Sequence, residues 1–332
     1  VVPSFDLALN TFKEYGEELE FFRSLYPDEK IILAYSDEKW IDLKELKLNY
    51  IFYQRCWENY LPECYTTKTV IKHSKTCYIP YCFHGLNVKK TYYSSSFFYY
   101  LYMMFCCSNE QLTEFPKRSG QKSIFLGFPS IENISNGLEL KYNNILWTPR
   151  WTDDSEFGGS TFFQYMYSIT DIKRDFPSSK LVLRPHPLTF QNAIRLKKLT
   201  ESEIDDYKLK LSEMGIIFDN NKLIEESFLN TDILITDFSS VLMSFFLTGK
   251  PIIYCATIDN VDFTDSFKDI IECSYIAKSW NDVMKYVSQL LNGEDPLKDK
   301  RNETIRKMAD NNKQSTERIL KYIIDDNMPN DK

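Results

Sequence analysis

Two short motifs in this sequence place phosphate-binding side chains where a strand is expected to end. The first, Thr236-Asp237-Phe238-Ser239-Ser240, lies between an apolar segment and a predicted helix. Open α/β sheets bind ligands at the carboxyl ends of their strands, and the N–H groups that begin a helix attract anions. The two serine hydroxyls therefore indicate a phosphate site. The alternative is that Asp237 or Ser239 only caps the helix.

The second motif is Arg184-Pro185-His186-Pro187, which follows the apolar segment KLVL. The prolines restrict the backbone, so Arg184 and His186 would be presented at another strand end. Arg184 offers a planar pair of donors for phosphate oxygens, and His186 can donate a hydrogen bond or exchange a proton near neutral pH. A purely structural histidine in a turn is the alternative.

A third candidate is His84, which follows the apolar segment CYIPY in the run His84-Gly85-Leu86-Asn87. Gly85 would permit an unusual backbone turn beside the histidine, which would place His84 on a loop at a strand end. The alternative is a histidine without a chemical role, as we expect for His73 in the polar stretch KHSKT.

The fourth candidate segment is Thr148-Pro149-Arg150, which ends the apolar run NILWTP. An acidic, glycine-containing stretch, DDSEFGGS, follows it and predicts a mobile loop. Arg150 could point to a ligand at this strand end, or it could be an exposed arginine in a turn.

Composition excludes several other classes of site. The chain has ten glycines and no Gly-x-Gly, so the glycine fingerprints of dinucleotide-binding and P-loop proteins are absent. Its net charge of −7 argues against a nucleic-acid partner. The eight cysteines form no C-x-x-C pair, which argues against a zinc ribbon and favours a reduced, cytoplasmic protein.

The elements that must position these residues alternate along the chain. A length of 332 residues suits about two domains. Alternating strands and helices predict parallel sheets covered on both faces, hence an α/β fold with two Rossmann-like doubly wound domains that face each other across a cleft. Strands are predicted at 31–35, 49–54, 77–81, 123–128, 144–149, 180–185, 215–219, 232–236, 251–255 and 274–277. Helices are predicted at 4–24, 92–102, 110–118, 161–175, 191–213, 222–229, 239–248, 280–291, 297–310 and 313–326.

We place an N-terminal, acceptor-side domain at 1–140 and a nucleotide-donor domain at 141–312. A C-terminal helix in 313–332 would pack back on the first domain, and the polar stretch 129–143 would be the linker. The longest apolar run, Phe97 to Cys107, is too short to span a bilayer. We expect it to be buried core, with membrane-surface contact as the alternative. We recognise no signal-peptide pattern in the first residues.

Taken together and in order, these segments resemble the CDP-glycerol glycerophosphotransferases. Those are bacterial enzymes that make teichoic acids and related capsule polymers, and they have a GT-B type two-domain fold. The resemblance is carried by His84-Gly85, Thr148-Pro149-Arg150, Arg184-Pro185-His186-Pro187, Thr236-Asp237-Phe238-Ser239-Ser240 and the run Leu247-Thr248-Gly249-Lys250-Pro251-Ile252-Ile253.

This resemblance implies a role for each matching residue. His84 would be the general base that deprotonates an acceptor hydroxyl, with Gly85 and Asn87 on the acceptor side. His186 would be the second catalytic residue. It would also help to hold the donor pyrophosphate, together with Arg184, Ser239, Ser240, Thr148 and Arg150. Asp237 would organise the turn. The acceptor oxygen would attack the phosphorus nearest the glycerol, and CMP would leave.

The resemblance also implies partners. The donor would be a CDP-activated polyol such as glycerol or ribitol phosphate, and the acceptor a cell-envelope polymer or lipid-linked glycan at the inner face of the membrane. Peripheral membrane contact through residues 92–105 is one way to reach it. The chain has no Asp-x-Asp, so we expect no metal or other cofactor. Two alternatives stay open: a GT-B glycosyltransferase that uses a nucleotide sugar, and a non-catalytic scaffold that binds nucleotide or glycan.

Overall fold

The computed structural model divides the chain into two compact units. Unit 1 comprises 1–81, 88–125 and 321–332, and unit 2 comprises 82–87 and 126–320. The residues that the structure describes are 5–6, 11–12, 17–25, 31–53, 55–87, 90–116, 118–132, 141–151, 159–221, 223–256 and 261–327.

Unit 1 is built around a four-stranded parallel sheet. Its elements are β1 (Phe5–Asp6), β2 (Thr11–Phe12), α1 (Glu17–Leu25), β3 (Tyr35–Ser36), β4 (Lys39–Trp40), β5 (Tyr50–Tyr53), α2 (Thr67–Val70), β6 (Lys75–Tyr78), α3 (Ser96–Tyr99), β7 (Met103–Phe105), α4 (Asn109–Glu114) and β8 (Lys122–Ile124). The strand order is β5-β6-β7-β8, and every neighbouring pair is parallel. The pairs β1–β2 and β3–β4 are antiparallel.

The apolar run from Phe97 to Cys107 forms the core of unit 1. Met103, Met104 and Phe105 are buried because β7 is an interior strand of the sheet, and Cys106 and Cys107, which follow it, are buried as well. The prediction of buried core is therefore confirmed. Among the large apolar side chains of the run, Tyr99 is exposed.

Three element predictions for this unit are wrong. The helix predicted at 4–24 begins at Glu17, because Phe5 pairs with Phe12 in a short antiparallel ladder before it; the residues between these strands lie outside the described part of the chain. Residues 31–34 form no strand. The helix predicted at 92–102 is a 3₁₀ turn followed by α3, and β7 follows unpredicted, because periodicity cannot distinguish a short buried strand from a helix.

The sheet of unit 2 has six parallel strands. Its elements are α5 (Pro129–Glu132), β9 (Asn144–Thr148), α6 (Phe162–Tyr165), α7 (Thr170–Asp175), β10 (Lys180–Leu183), α8 (Leu188–Arg195), α9 (Glu201–Glu213), β11 (Ile217–Phe218), α10 (Ile224–Leu229), β12 (Ile233–Thr236), α11 (Ser240–Phe246), β13 (Ile252–Cys255), α12 (Asp265–Glu272), β14 (Tyr275–Ala277), α13 (Trp280–Leu291), α14 (Lys298–Asn312) and α15 (Ser315–Asn327), which continues into unit 1.

The strand order β11-β10-β9-β12-β13-β14 is the order 3-2-1-4-5-6 of Rossmann folds. Strands β10 and β11 lie on one side of β9, and strands β12, β13 and β14 lie on its other side. The strand order therefore reverses between β9 and β12. At such a switch point the loops that leave the two strands diverge and open a crevice for a ligand.

Most predicted elements of unit 2 occur near their predicted positions, with three differences. The helix predicted at 161–175 is divided into α6 and α7. The helix predicted at 191–213 is divided into α8 and α9, because Thr200 and Glu203 form a capping box at which α9 begins. Helix α12 was not predicted. Of the predicted linker, 129–132 form α5, and 133–140 lie outside the described residues, as do 152–158 of the predicted mobile loop.

The two units do not follow the predicted boundary at 140/141. Residues 82–87, which carry His84, group with unit 2, and so does the segment from 126. The last residues of α15 group with unit 1, where the Asp326 carboxylate accepts hydrogen bonds from Tyr50 (2.7 Å), Lys75 (2.9 Å) and Lys122. Burial would raise the pKa of Asp326, but these donors hold it well below its usual range.

None of the described helices is long and apolar enough to cross a membrane.

Candidate functional site

The switch point of the unit 2 sheet is built around two threonines. Thr148 ends β9 and Thr236 ends β12, and they are register partners across the two strands. The Thr148 hydroxyl donates to Oγ1 of Thr236 at 2.8 Å, and the Thr236 hydroxyl donates to the Thr148 carbonyl at 3.0 Å. Both side chains are buried. Thr148 therefore joins the two strand ends at the switch point.

Asp237 organises the backbone on both sides of this point. Its carboxylate is fully buried. One oxygen accepts the N–H of Arg150 (2.9 Å) and the N–H of Thr161 (3.1 Å), and the other accepts the Thr161 hydroxyl. Burial raises the pKa of Asp237, whereas the three donors oppose that rise. Through these three hydrogen bonds, Asp237 connects the loop after β9 to the turn after β12.

The alternative that Asp237 or Ser239 merely caps α11 does not describe the structure. The Asp237 carboxylate binds residues 150 and 161. Ser239 occupies the cap position, but its side chain makes no capping hydrogen bond. Its Oγ atom is buried and has no hydrogen-bond partner in the described part of the chain. Because a buried hydroxyl without a partner is costly, this atom is suited to receive one from a ligand. Ser240, the first residue of α11, is exposed.

Arg150 contributes the positive charge of this site. Its Nη1 atom donates to the Phe238 carbonyl at 3.3 Å, and its guanidinium carbon lies 5.9 Å from the centroid of the Phe238 ring. The Arg150 carbonyl accepts the Ser160 hydroxyl at 2.7 Å. The side chain is half-buried. Arg150 therefore places a cation beside the turn that carries Ser239.

His186 lies on the neighbouring strand end, after β10. The centroid of its ring lies 6.0 Å from the ring centroid of Trp151, and its Nδ1 atom accepts a hydrogen bond from the Leu188 N–H at 3.1 Å. Loss of water around the ring and the positive charge of Arg150 lower the pKa of His186, although part of the side chain is exposed. The neutral ring therefore carries its proton on Nε2, which can donate to a phosphate oxygen.

Arg184 has a different environment from His186. Its Nη1 atom donates to Asp219 (2.9 Å), to the carbonyl of Asn221 (2.9 Å) and to the Ser227 hydroxyl (3.3 Å). The Asp219 side chain is almost fully buried. The structure thus directs Arg184 toward the residues that follow β11, where its charge is paired.

His84 is carried by a short loop that is packed within unit 2. The carbonyl of His84 accepts the Thr264 hydroxyl (3.1 Å), and the carbonyl of Gly85 accepts the Thr264 N–H (3.1 Å). Burial lowers the pKa of His84 to about 4. The imidazole is therefore neutral at physiological pH and able to accept a proton.

Gly85 and Asn87 hold this loop through close packing and hydrogen bonds. A Cβ atom at Gly85 would lie 2.7 Å from Cδ2 of Phe267 and 2.9 Å from Cε2 of Phe238. Glycine is required here for close approach; Gly85 is not among the positive-φ residues, so the predicted unusual turn is wrong. The Asn87 amide donates to Oδ1 of Asp262 at 2.7 Å.

Sequence reasoning missed several residues of this arrangement. Thr161 satisfies Asp237, Asp219 pairs with Arg184, and the segment 261–267 supports the His84 loop. Asp219 had a signal, since it is the last residue of a predicted strand of the same sheet. The others had none, because each acts through a contact that only the fold creates. Within the described residues, no group of three or more His, Cys, Asp or Glu side chains could hold a metal ion.

Comparison with known proteins adds three findings. The sequence model of a family described as CDP-Glycerol:Poly(glycerophosphate) glycerophosphotransferase matches residues 130–325. The teichoic acid poly(glycerol phosphate) polymerase of Bacillus spizizenii is 33% identical over 120 residues, which are 36% of this chain and 27% of that protein. The chain therefore covers little more than a quarter of this relative's length.

Solved structures show the same fold. The wall teichoic acid polymerase TagF, in a histidine-to-asparagine variant soaked with CDPG, superposes with a TM-score of 0.52 at 15% identity over 83% of this chain and 71% of that one. The MnaA–UDP co-structure from S. aureus gives a TM-score of 0.50 at 12% identity over 85% and 76%. At these identities the likeness concerns the fold alone, and it confirms the predicted GT-B type α/β architecture with Rossmann-like sheets.

Proposed function

This chain belongs to the CDP-glycerol:poly(glycerophosphate) glycerophosphotransferase family, whose model matches residues 130–325, and we propose that it transfers glycerol phosphate from CDP-glycerol to a hydroxyl of a teichoic acid-type polymer. The observation that carries this proposal is the set of polar groups around Asp237 at the carboxyl ends of the strands. There a cation, a neutral imidazole and a buried hydroxyl without a partner lie at the strand ends around a Rossmann switch point. These groups suit a pyrophosphate.

The donor pyrophosphate would be held mainly by Arg150, His186 and Ser239, with the exposed hydroxyl of Ser240 beside them. Arg150 supplies charge and planar donors, Nε2 of His186 supplies a neutral donor, and a phosphate oxygen would give the Ser239 hydroxyl its missing partner. Arg184, which the resemblance also assigns to the pyrophosphate, would act from further away. Its Nη1 is already held by Asp219, so we propose that it keeps the adjacent loop in place.

The reaction would be a displacement at phosphorus. His84 accepts the proton of an acceptor hydroxyl, and the freed oxygen attacks the phosphorus that bears the glycerol. The bond from this phosphorus to the bridging oxygen breaks, and CMP leaves with its electron pair. A phosphodiester is formed, and the proton on His84 passes to solvent or to CMP. Arg150 and the donors around it would offset the charge that develops on the phosphoryl oxygens, so no metal ion is required.

The low pKa of His84 fits a base that is neutral before the donor binds. An imidazole with a pKa of about 4 is a weak base, but a pyrophosphate close to it would favour the protonated form and raise that pKa. The base would therefore become stronger when the donor is present. Its proton affinity would then approach the range in which general bases work best.

The acceptor and the location follow from the chemistry of this proposal. CDP-activated donors are cytoplasmic, so the chain would act in the cytoplasm, on a polymer or lipid-linked glycan at the inner face of the membrane. In segment 92–105, Tyr99 is the large apolar side chain that remains exposed. That segment offers little surface for peripheral membrane contact.

Product identity tests the proposed reaction. The chain is incubated with CDP-glycerol, CDP-ribitol or nucleotide sugars, together with a short poly(glycerol phosphate) acceptor. Release of CMP from CDP-glycerol, with phosphodiester growth of the acceptor, is expected. Release of a nucleoside diphosphate from a nucleotide sugar would instead identify a glycosyltransferase. Thermal stabilisation by CDP-glycerol without turnover would identify a binding scaffold. The same assay with excess EDTA is expected to give an unchanged rate, and loss that Mg²⁺ restores would contradict a metal-free mechanism.

A further inference from the structure

The segment from residue 261 to residue 267 is a support for the His84 loop that no sequence motif indicated. Asn87 donates its N–H to the carbonyl of Asp262 at 2.9 Å and its amide to the carbonyl of Phe263 at 3.1 Å. Leu86 forms an antiparallel bridge with Phe263. The loop is therefore held along its backbone by one isolated bridge and two hydrogen bonds from Asn87, and the two segments cannot slip past each other without loss of these bonds.

Thr264 makes the contact that is specific to the histidine. Its hydroxyl donates to the carbonyl of His84, and its N–H donates to the carbonyl of Gly85, each at 3.1 Å. The side chain is buried, with 2% of its surface exposed. One residue thus fixes the orientation of two successive peptide groups beside the proposed base.

The hydroxyl of Thr264 does not cap its own helix. Thr264 is the N-cap residue of α12, where a threonine side chain normally accepts a hydrogen bond from the first turn of its own helix. Here no such capping bond is formed with the described residues of α12. The hydroxyl donates to His84 instead. Local helix stability does not explain this geometry, whereas placement of the histidine does.

The same segment connects the His84 loop to the donor turn. Phe238 is next to Asp237, and the centroid of its ring lies 5.5 Å from the ring centroid of Phe263 and 5.2 Å from that of Phe267. Gly85 packs on Phe238 and Phe267. The proposed base and the proposed phosphate site therefore rest on one aromatic cluster within unit 2, in which Phe263 and Phe267 are buried and Phe238 is half-buried.

We propose that Thr264 is a positioning residue for His84, holding the imidazole at a fixed place relative to the donor turn through its bond to the His84 carbonyl. This inference rests on the proposed function, because it assumes that His84 takes the acceptor proton. Displacement of a reacting group by about 1 Å can cost on the order of 10²-fold in rate. Loss of this one bond should therefore affect turnover more than donor binding.

The test compares Thr264→Val and Thr264→Ser in the full chain. Valine has the shape of threonine without the hydroxyl, and serine keeps the hydroxyl without the methyl group. Thr264→Val is expected to lower kcat for CMP release by about 10- to 100-fold while the KM for CDP-glycerol changes less than about threefold. Thr264→Ser should recover most of kcat. A matched control is Thr231→Val, which removes another buried hydroxyl that donates to a carbonyl (Ser227, 2.7 Å) just before β12 begins, at the other end of that strand from Thr236.

The outcomes separate this inference from the proposed function. If Thr264→Val and Thr231→Val lose kcat equally, or if serine gives no recovery, Thr264 is merely structural and the inference is wrong. If His84→Ala retains full turnover, His84 is not the general base, and this result contradicts the proposed function independently of the Thr264 variants. The double variant His84→Ala/Thr264→Val should be no slower than His84→Ala, because a positioning residue has no effect once its target is gone. A further loss in the double variant would contradict the inference.

Discussion

The backbone of Gly85 lies against the ring of Phe238, so close that a methyl group added to Gly85 would come within 2.9 Å of Cε2 of that ring. Gly85 is next to the proposed base, and Phe238 is next to the carboxylate that organises the proposed phosphate site. Their contact means that the loop and the turn depend on each other's position. The glycine of the His-Gly motif thus has a packing role.

Gly85→Ala should therefore reduce turnover. The added methyl group must displace the Phe238 or Phe267 ring, and overpacking of this kind costs about 1–3 kcal/mol. We expect a lower melting temperature and a larger proportional loss of kcat. Gly120→Ala is the control, since Gly120 has positive φ and open space, so it should lose stability but keep kcat per folded molecule. An unchanged kcat in Gly85→Ala would show that the base does not depend on this contact.

Asp237→Asn should weaken both the fold and donor binding. An asparagine has one acceptor oxygen and would turn an N–H₂ group toward donors at Arg150 and Thr161. An unsatisfied buried donor costs about 1–3 kcal/mol. Calorimetric binding of CDP-glycerol and thermal melting measure the two effects. Asp265→Asn, at a highly exposed carboxylate, should change neither. Full donor affinity in Asp237→Asn would contradict the role given to this carboxylate.

The pH dependence of the free enzyme should reflect the low pKa of His84. The pKa is about 4 in the folded chain and 6.5 for the unperturbed group. Because the folded value is the lower one, the unfolded chain takes up the proton first. The stability contribution is therefore complete above pH 6.5 and is lost as the pH falls toward 4.

The lowered pKa of His84 also predicts the pH at which kcat/KM falls on the acidic side of its pH profile, because kcat/KM reports the ionisation of the free enzyme. This fall should lie well below pH 6.5. A fall at or above 6.5 would show that His84 titrates as an exposed histidine. The pH dependence of unfolding in His84→Gln, which lacks the titrating ring, should be shallower between pH 6.5 and 4 than in the unchanged chain.

Lys250, in the Gly-Lys-Pro run that resembles the family, has a structural position. Its ammonium donates to the carbonyls of Phe228 (2.7 Å) and Thr231 and lies in the protein interior. Burial lowers the pKa of Lys250. Lys250→Met should leave these carbonyls unsatisfied and cost about 1–3 kcal/mol of unfolding free energy, with kcat per folded molecule unchanged. Unaltered stability with lost donor affinity would instead assign Lys250 to the substrate site.

The sequence indicated the α/β class and the strand ends of unit 2 because its strands are buried on both faces and read as continuous apolar runs. It also indicated Asp237, Ser239, Arg150 and His186, which follow those strands directly. It could not indicate Thr264 or Thr161. Their hydroxyls matter through bonds to residues 180 and 76 positions away in the chain, and no local pattern encodes such a pairing. Arg184 shows the converse: a motif residue whose partner, Asp219, is fixed by the neighbouring strand.

The central claim is that His84 takes the acceptor proton in a transfer that releases CMP. Its most direct test measures CMP release and CDP-glycerol affinity side by side in the unchanged chain and in His84→Ala, with poly(glycerol phosphate) as acceptor. The account predicts CMP release that falls by at least about 10²-fold in the variant while the Kd for CDP-glycerol stays within about threefold. CMP release at an undiminished rate, or loss of CDP-glycerol binding together with turnover, would contradict it.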